Sequence, residues 1–395
     1  MKLLPIKDLL KLAAILFLLP GCASHSGYTN YTSEVDSLVK TLIPDHREGI
    51  CSIAVYQSGC KTVVSGETSE SEIKSRIAEY LKSRKISYTD SLRLIPDTTK
   101  SDKPWGIINV SVCNIRMHPG HEMELVSQAL LGTPVRILSP GEDWYRIQTP
   151  DSYIGWVDAD AVVLLSRAEF MKWKSSQRII FLSRFGDVIA SPGDRAEVSD
   201  IVAGSIAESD GQEKGYFRVI LPDGRKGFLP EKDCANLQEW AKNARAEPGS
   251  LIKTALELLG TPYLWGGTSV RGLDCSGFVK TVYYLNGTIL ARDASLQVRH
   301  GLEIKNYKNL GELEKGDLLF FGPKGKIPVR PTHVGMYIGN AEYINESGMV
   351  KINSLDSARK NFSRYRYNSF IAARRITGAG NDRGIRKLSD HNWYF

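Results

Sequence analysis

Gly272-Leu273-Asp274-Cys275-Ser276-Gly277-Phe278-Val279 places one cysteine between a glycine-bounded loop and an apolar run whose spacing predicts a helix reaching about Tyr284. In the first turn of such a helix, unpaired backbone N–H groups and the positive end of the macrodipole favour a thiolate. Cys275 is therefore the candidate nucleophile. Taken alone it also reads as a buried cysteine acting as a small hydrophobe, so the flanking sequence has to separate the two readings.

A thiol nucleophile needs a base, and His is the usual one because its ordinary pKa lies near neutrality. His333 opens the apolar stretch His333-Val334-Gly335-Met336-Tyr337-Ile338, so its polar ring faces either solvent or a site, and His300 has no comparable context. Asp317-Leu318-Leu319-Phe320-Phe321, the His333 stretch and Glu342-Tyr343-Ile344-Asn345 read as strands of an antiparallel sheet, with Gly339-Asn340 turning the last two. That hairpin returns Asn345 beside His333, where an amide oxygen can orient the far ring nitrogen without adding charge. Upstream, Leu251, Ile252, Ala255, Leu256, Leu258 and Leu259 form the stripe of a helix entered through Ala246-Glu247-Pro248-Gly249 and stopped by Gly260 and Pro262.

Before that linker the texture is different. From about Trp105, short alternating strands punctuated by Gly and Pro indicate a small β-barrel. The chain from Ile179 to Asn236 repeats the pattern more loosely, with Gly215-Tyr216-Phe217-Arg218-Val219 and Gly227-Phe228-Leu229-Pro230 echoing Asp143-Trp144-Tyr145-Arg146-Ile147 and Tyr153-Ile154-Gly155-Trp156-Val157. His118 and His121 lie in a turn-rich loop with no third ligand nearby. Residues 23–104 predict a helix over 33–42, a hairpin over 51–66 turning at Ser58-Gly59, and an amphipathic helix over 69–85 carrying Ile73, Ile77, Tyr80 and Leu81. This unit shows no chemistry of its own and reads as a structural or spacing element. In the expected register Cys60 faces Gln57, so no Cys51–Cys60 disulfide is expected.

The 395 residues are 42% hydrophobic with a net charge of +7, and Lys and Arg are dispersed, which argues against a nucleic-acid partner and suits an anionic polymer. No CxxC pair is present, so neither a metal nor another cofactor is expected. Met1-Lys2-Leu3-Leu4-Pro5-Ile6-Lys7 followed by the mainly apolar stretch 9–19 reads as an export signal, too short to span a bilayer of about 30 Å. Leu19-Pro20-Gly21-Cys22 resembles a bacterial lipobox, which implies lipidation at Cys22, a membrane anchor, and a cell-envelope location, periplasmic or at the outer membrane if Gram-negative.

Val110-Ser111-Val112-Cys113-Asn114-Ile115-Arg116 and the strands that follow it resemble a bacterial SH3 domain. Tyr263-Leu264-Trp265-Gly266-Gly267, the Cys275 motif, Gly316-Asp317-Leu318-Leu319-Phe320-Phe321 and His333 to Gly339 together resemble the NlpC/P60 family of cysteine peptidases. The resemblance implies an α+β chain. Its parts are a signal (1–22), a small α+β N-terminal unit (23–104), two SH3-like β-barrels (105–168 and 179–237), a papain-like catalytic domain (248–376) and a tail (377–395) with no assigned role. It implies catalysis by Cys275, His333 and Asn345, the last standing where the family commonly has His, with the Cys275 N–H and a second donor such as the Tyr263 hydroxyl at the oxyanion. The substrates implied are peptidoglycan stem peptides, cut between γ-D-glutamate and a diamino acid. The SH3-bearing subgroup implies a free N-terminal L-alanine bound by Glu124, Tyr153, Trp265, Asp274, Ser276 and Asp293, with Ala294 replacing a common Ser. A monomer is expected. The competing readings are an amidase cutting between sugar and peptide, and a non-catalytic peptidoglycan-binding lipoprotein.

Overall fold

The computed structural model describes residues 31–59, 61–97, 102–325, 330–380 and 382–395. Cys22, the export signal and Cys60 lie outside them. Among the described residues no helix is long and apolar enough to cross a membrane.

The N-terminal unit is built from helix α1 (Thr32–Leu42), hairpin strands β1 (Cys51–Ser58) and β2 (Lys61–Thr68), helix α2 (Ser71–Ser83) and strand β3 (Tyr88–Leu94). Val35, Ile73, Ile77, Leu81 and Leu92 fill its core. Strand β3 runs parallel to β2, with α2 as the crossover. Nothing in the sequence reading foresaw it, because only Leu92 of its seven residues is buried and Tyr88-Thr89-Asp90-Ser91 shows no clean alternation. The hairpin register is also corrected: Ser58 pairs with Lys61 and Gln57 with Thr62, one position later than expected.

Two seven-stranded barrels follow. The first encloses Ile108, Ile115, Val135, Ile137, Ile147 and Val157, and the second Phe181, Val188, Ile201, Val219 and Leu229. Inward alternation along the short strands fills each small interior with branched side chains.

The last domain opens with α3 (Pro248–Glu257) and centres on α4 (Cys275–Tyr284). Helix α4 buries Phe278, Val279, Val282 and Tyr283 against Leu318, Phe320, Val334, Met336 and Ile344. Those residues belong to strands β5 (Leu318–Phe321), β6 (His333–Gly339) and β7 (Glu342–Glu346) of a six-stranded antiparallel sheet. Its other strands are β4 (Leu302–Glu303), β8 (Val350–Ser354) and β9 (Phe370–Arg375), in the order β4-β9-β5-β6-β7-β8. The tail also has a structural role. Ile385–Lys387 pairs with Thr288–Leu290, and Tyr394, 2% exposed, packs with Phe170, Trp173 and Ile180 while its carbonyl accepts from Arg178 Nη2 at 2.7 Å, joining the catalytic domain to the second barrel.

Candidate active site

Asp274 caps α4: its Oδ1 accepts the Gly277 N–H at 2.7 Å, which sets Cys275 at the first helical position. The glycine is obligatory, since a Cβ at Gly277 would fall 2.0 Å from the Gly267 carbonyl oxygen. The Val334 and Ser276 N–H groups point at the Cys275 sulfur, which puts the thiol beside the start of β6. His333 lies on that strand end, 4% exposed, and its Nε2–H donates to Asn345 Oδ1 at 2.8 Å. Asn345 is itself held, its Nδ2 donating to Asn353 Oδ1 at 2.9 Å and to the Lys351 carbonyl at 3.3 Å. The amide therefore presents oxygen to the ring, and His333 keeps Nδ1 as the lone-pair nitrogen.

Burial works against the expected thiolate. Burial pushes the Cys275 thiol up to about 11, with the Asp274 carboxylate adding to the effect and the two backbone N–H groups opposing it. Burial, then the Arg366 charge, pulls His333 down to about 3. Exclusion of water thus opposes the helix N-terminus at the sulfur and lowers the basicity of the imidazole. The proton leaves sulfur for Nδ1 as attack occurs. Tyr263 stands at the same pocket with its hydroxyl raised to about 12, first by burial and then by Cys275 and Asp274, so it stays a proton donor for an oxyanion.

The pocket, about 290 Å³, is lined by Cys275, Tyr263, Trp265, Asp274, Ser276 and Asp293 of the catalytic domain together with Glu124 and Tyr153 of the first barrel. Trp265 Nε1 donates to Glu124 Oε1 at 2.8 Å, and the Tyr153 hydroxyl donates to Asp293 Oδ2 at 3.1 Å. Gln128 and Thr268 exchange backbone and side-chain hydrogen bonds of 2.9 to 3.2 Å across the same seam. Gly266, at φ +77°, lets the loop come so near the barrel that a Cβ would lie 2.4 Å from the Leu125 carbonyl oxygen. All ten sequence-derived candidates among the described residues thus gather in one region. Asp274 and Ser276 line the pocket yet are mostly committed internally: Asp274 Oδ2 accepts from Gly266 N–H and Arg292, and the Ser276 hydroxyl donates to Asp274 Oδ1 at 3.1 Å.

Two residues escaped the sequence reading. Arg292, 1% exposed, grips Asp274 through Nη2 at 2.6 Å and Nη1 at 3.1 Å, and its Nε donates to Ser127 of the first barrel at 3.1 Å. Arg47 comes from the N-terminal unit, in which the sequence shows no chemistry, yet its Nη1 donates to Asp293 Oδ2 at 2.6 Å. Neither has a motif, although Arg292 directly precedes a candidate.

A helix-borne cysteine packed on an antiparallel sheet that carries its histidine and an orienting amide defines a papain-like cysteine peptidase. The NlpC/P60 family model matches residues 260–372, and the bacterial dipeptidyl-peptidase SH3 domain model matches residues 115–162. The chain is 32% identical to dipeptidyl-peptidase 6 of Lysinibacillus sphaericus over 63% of its own length and 91% of that protein. It is 28% identical to a gamma-D-glutamyl-L-lysine dipeptidyl-peptidase of Bacillus cereus, covering 65% of this chain and 78% of the relative. The fold matches the crystal structure of an NlpC/P60 family protein from Bacillus cereus with a TM-score of 0.59 at 23% identity, over 69% of this chain and 99% of that one. The chain belongs to the NlpC/P60 family and is a cysteine peptidase.

Proposed function

We propose that this enzyme hydrolyses peptidoglycan stem peptides at the bond between γ-D-glutamate and the diamino acid, and that it reads a free N-terminal L-alanine. The observation that carries this reading is the meeting of Glu124, Tyr153 and Asp293 in the pocket that holds Cys275. An ammonium entering a half-buried site needs carboxylates and a hydroxyl acceptor, and three such groups from two domains close that end of the groove. The names of the Lysinibacillus and Bacillus relatives support the same bond class.

In this mechanism His333 Nδ1 takes the Cys275 proton as sulfur attacks the γ-glutamyl carbonyl. Tyr263 and the α4 N-terminus hold the oxyanion. The imidazolium then protonates the leaving amine, and water, deprotonated by His333, releases the acyl group. Asn345 keeps the ring turned toward sulfur throughout. We further propose that the protein is exported, anchored through lipid on Cys22, and acts as a monomer in the cell envelope; labelling with a palmitate analogue, lost in Cys22→Ala, tests the anchor.

Mass spectrometry of products from L-Ala-γ-D-Glu-diamino acid peptides tests the bond assignment. Release of the L-Ala-γ-D-Glu dipeptide, abolished in Cys275→Ala with folding retained, is the expected result. Cleavage between muramic acid and alanine in intact wall material would instead establish the amidase reading.

A further inference from the structure

The carboxylate best placed for the substrate ammonium is already in use. Arg47 is anchored as a fork on Asp45, with Nε at 2.8 Å from Oδ1 and Nη2 at 2.7 Å from Oδ2, and the remaining nitrogen, Nη1, extends 2.6 Å to Asp293. Nη2 also donates to Ser295 at 3.1 Å. The main chain fixes this segment on the barrel, since the Ile154 N–H donates to the Arg47 carbonyl at 2.8 Å, one residue beyond Tyr153. Asp45 is almost buried and takes a second arginine, Arg299, at 3.2 Å. The N-terminal unit is thus a third wall of the pocket, and it brings a cation to the position where a cationic substrate terminus would bind.

We propose that Arg47 is a specificity-determining residue that competes with the substrate's α-ammonium for Asp293. The inference rests on the free-alanine reading above. Its physical basis is that two cations share one carboxylate. Asp293 Oδ2 already accepts from Arg47 and Tyr153, and its Oδ1 lies 3.9 Å from the Arg292 guanidinium. An incoming ammonium therefore meets a neutralised acceptor and depends on Glu124 more than the barrel and catalytic domain alone would require. The competition is soft. Arg47 can release Asp293 while keeping both hydrogen bonds to Asp45, so it weakens amine binding without closing the site. Peptides whose alanine nitrogen is acylated carry no ammonium and are indifferent to this competition, so Arg47 narrows the advantage of free-amine over N-acyl peptides.

The test compares wild type and Arg47→Ala of the full chain on L-Ala-γ-D-Glu-diamino acid peptide and on its N-acetyl form. The pair is part-exposed, which sets the effect at about fivefold. KM for the free-amine peptide should fall roughly fivefold in Arg47→Ala with kcat unchanged, while kcat/KM for the N-acetyl peptide stays the same. The gain should vanish when the comparison is repeated in an Asp293→Asn background. A KM that rises or does not move, or an equal change for both peptides, overturns the proposal by making Arg47 a structural support. Misfolding is detected separately: titration of L-Ala-γ-D-Glu into Cys275→Ala and Cys275→Ala/Arg47→Ala must show tighter binding in the second, and weaker or equal binding again overturns it. If wild type turns over neither peptide, the underlying reading fails and the proposal falls with it.

Discussion

Arg292 and Asp274 form a two-point ion pair, 2.6 and 3.1 Å, sealed beneath the turn that holds Cys275. The carboxylate caps the nucleophile helix, and the guanidinium ties that cap to Ser127 of the first barrel. Burial opposes both charges, and their mutual attraction keeps Asp274 ionised below the usual carboxylate range and Arg292 firmly protonated. Breaking one partner leaves an uncompensated buried charge. Arg292→Met should cost about 3–5 kcal/mol in urea unfolding. Asp274→Asn/Arg292→Met should recover much of that loss, because asparagine still caps the helix. Equal losses in the single and double variants would show that the pair is not what stabilises the turn.

Asn345 acts through His333. Asn345→Ala removes the acceptor that holds Nε2–H and should lower kcat roughly tenfold or more with little change in KM. Asn345→Asp keeps an acceptor and adds a charge that favours the imidazolium. Its loss should be smaller, and the acid limb of its kcat/KM profile should lie at higher pH than in wild type. Unchanged profiles in both variants would remove Asn345 from the machinery.

Stability should fall on the acid side of neutrality. His333, pulled down to about 3, and His391, buried against the Pro150 carbonyl and also lowered, are neutral in the folded protein. The unfolded chain takes up protons near pH 6.5, so the stability these groups contribute is complete above that pH and is lost as pH falls toward the folded values. The His333 contribution between pH 7 and pH 4 is about 3 kcal/mol. His333→Gln should flatten the corresponding part of a urea-midpoint profile, and an unaltered slope would contradict the assignment.

Glu346 has the opposite sign. It is fully buried on β7, neither oxygen makes a hydrogen bond of good geometry, and burial followed by the Asp274 charge raises it to about 7. The folded state holds the proton after the unfolded chain has lost it, so this residue costs stability progressively as pH rises from about 4.5. Glu346→Gln should raise the urea midpoint at pH 8, by about 2 kcal/mol in stability, and change little at pH 5. Destabilisation at pH 8 would mean that the charge has a partner.

The line between what was legible in the chain and what was not follows physical causes. Cys275, His333 and Asn345 were readable because a capped helix and a hairpin impose local spacing, and β6–β7 pairing delivers the last two to each other. Glu124 and Trp265, 141 positions apart, were reachable only through resemblance. Arg47 and Arg292 were not readable, because a lone arginine in a polar loop has no periodicity and its partner is set by how folded units dock. The burial that opposes the thiolate was unreadable for a related reason: the helix dipole is written in sequence, whereas water exclusion around a side chain exists only after packing.

The third wall at Arg47 gives the enzyme two separable inheritances. The groups that make and break bonds lie within one folding unit, on α4 and its neighbouring strands. In the proposed reading, the groups that select the peptide end are divided among three units, two of them far from the reacting sulfur in sequence. On that proposal, changes in the Arg47 loop of the N-terminal unit redirect selectivity while leaving the reaction intact, and a lineage of such enzymes can explore new peptides without first losing catalysis.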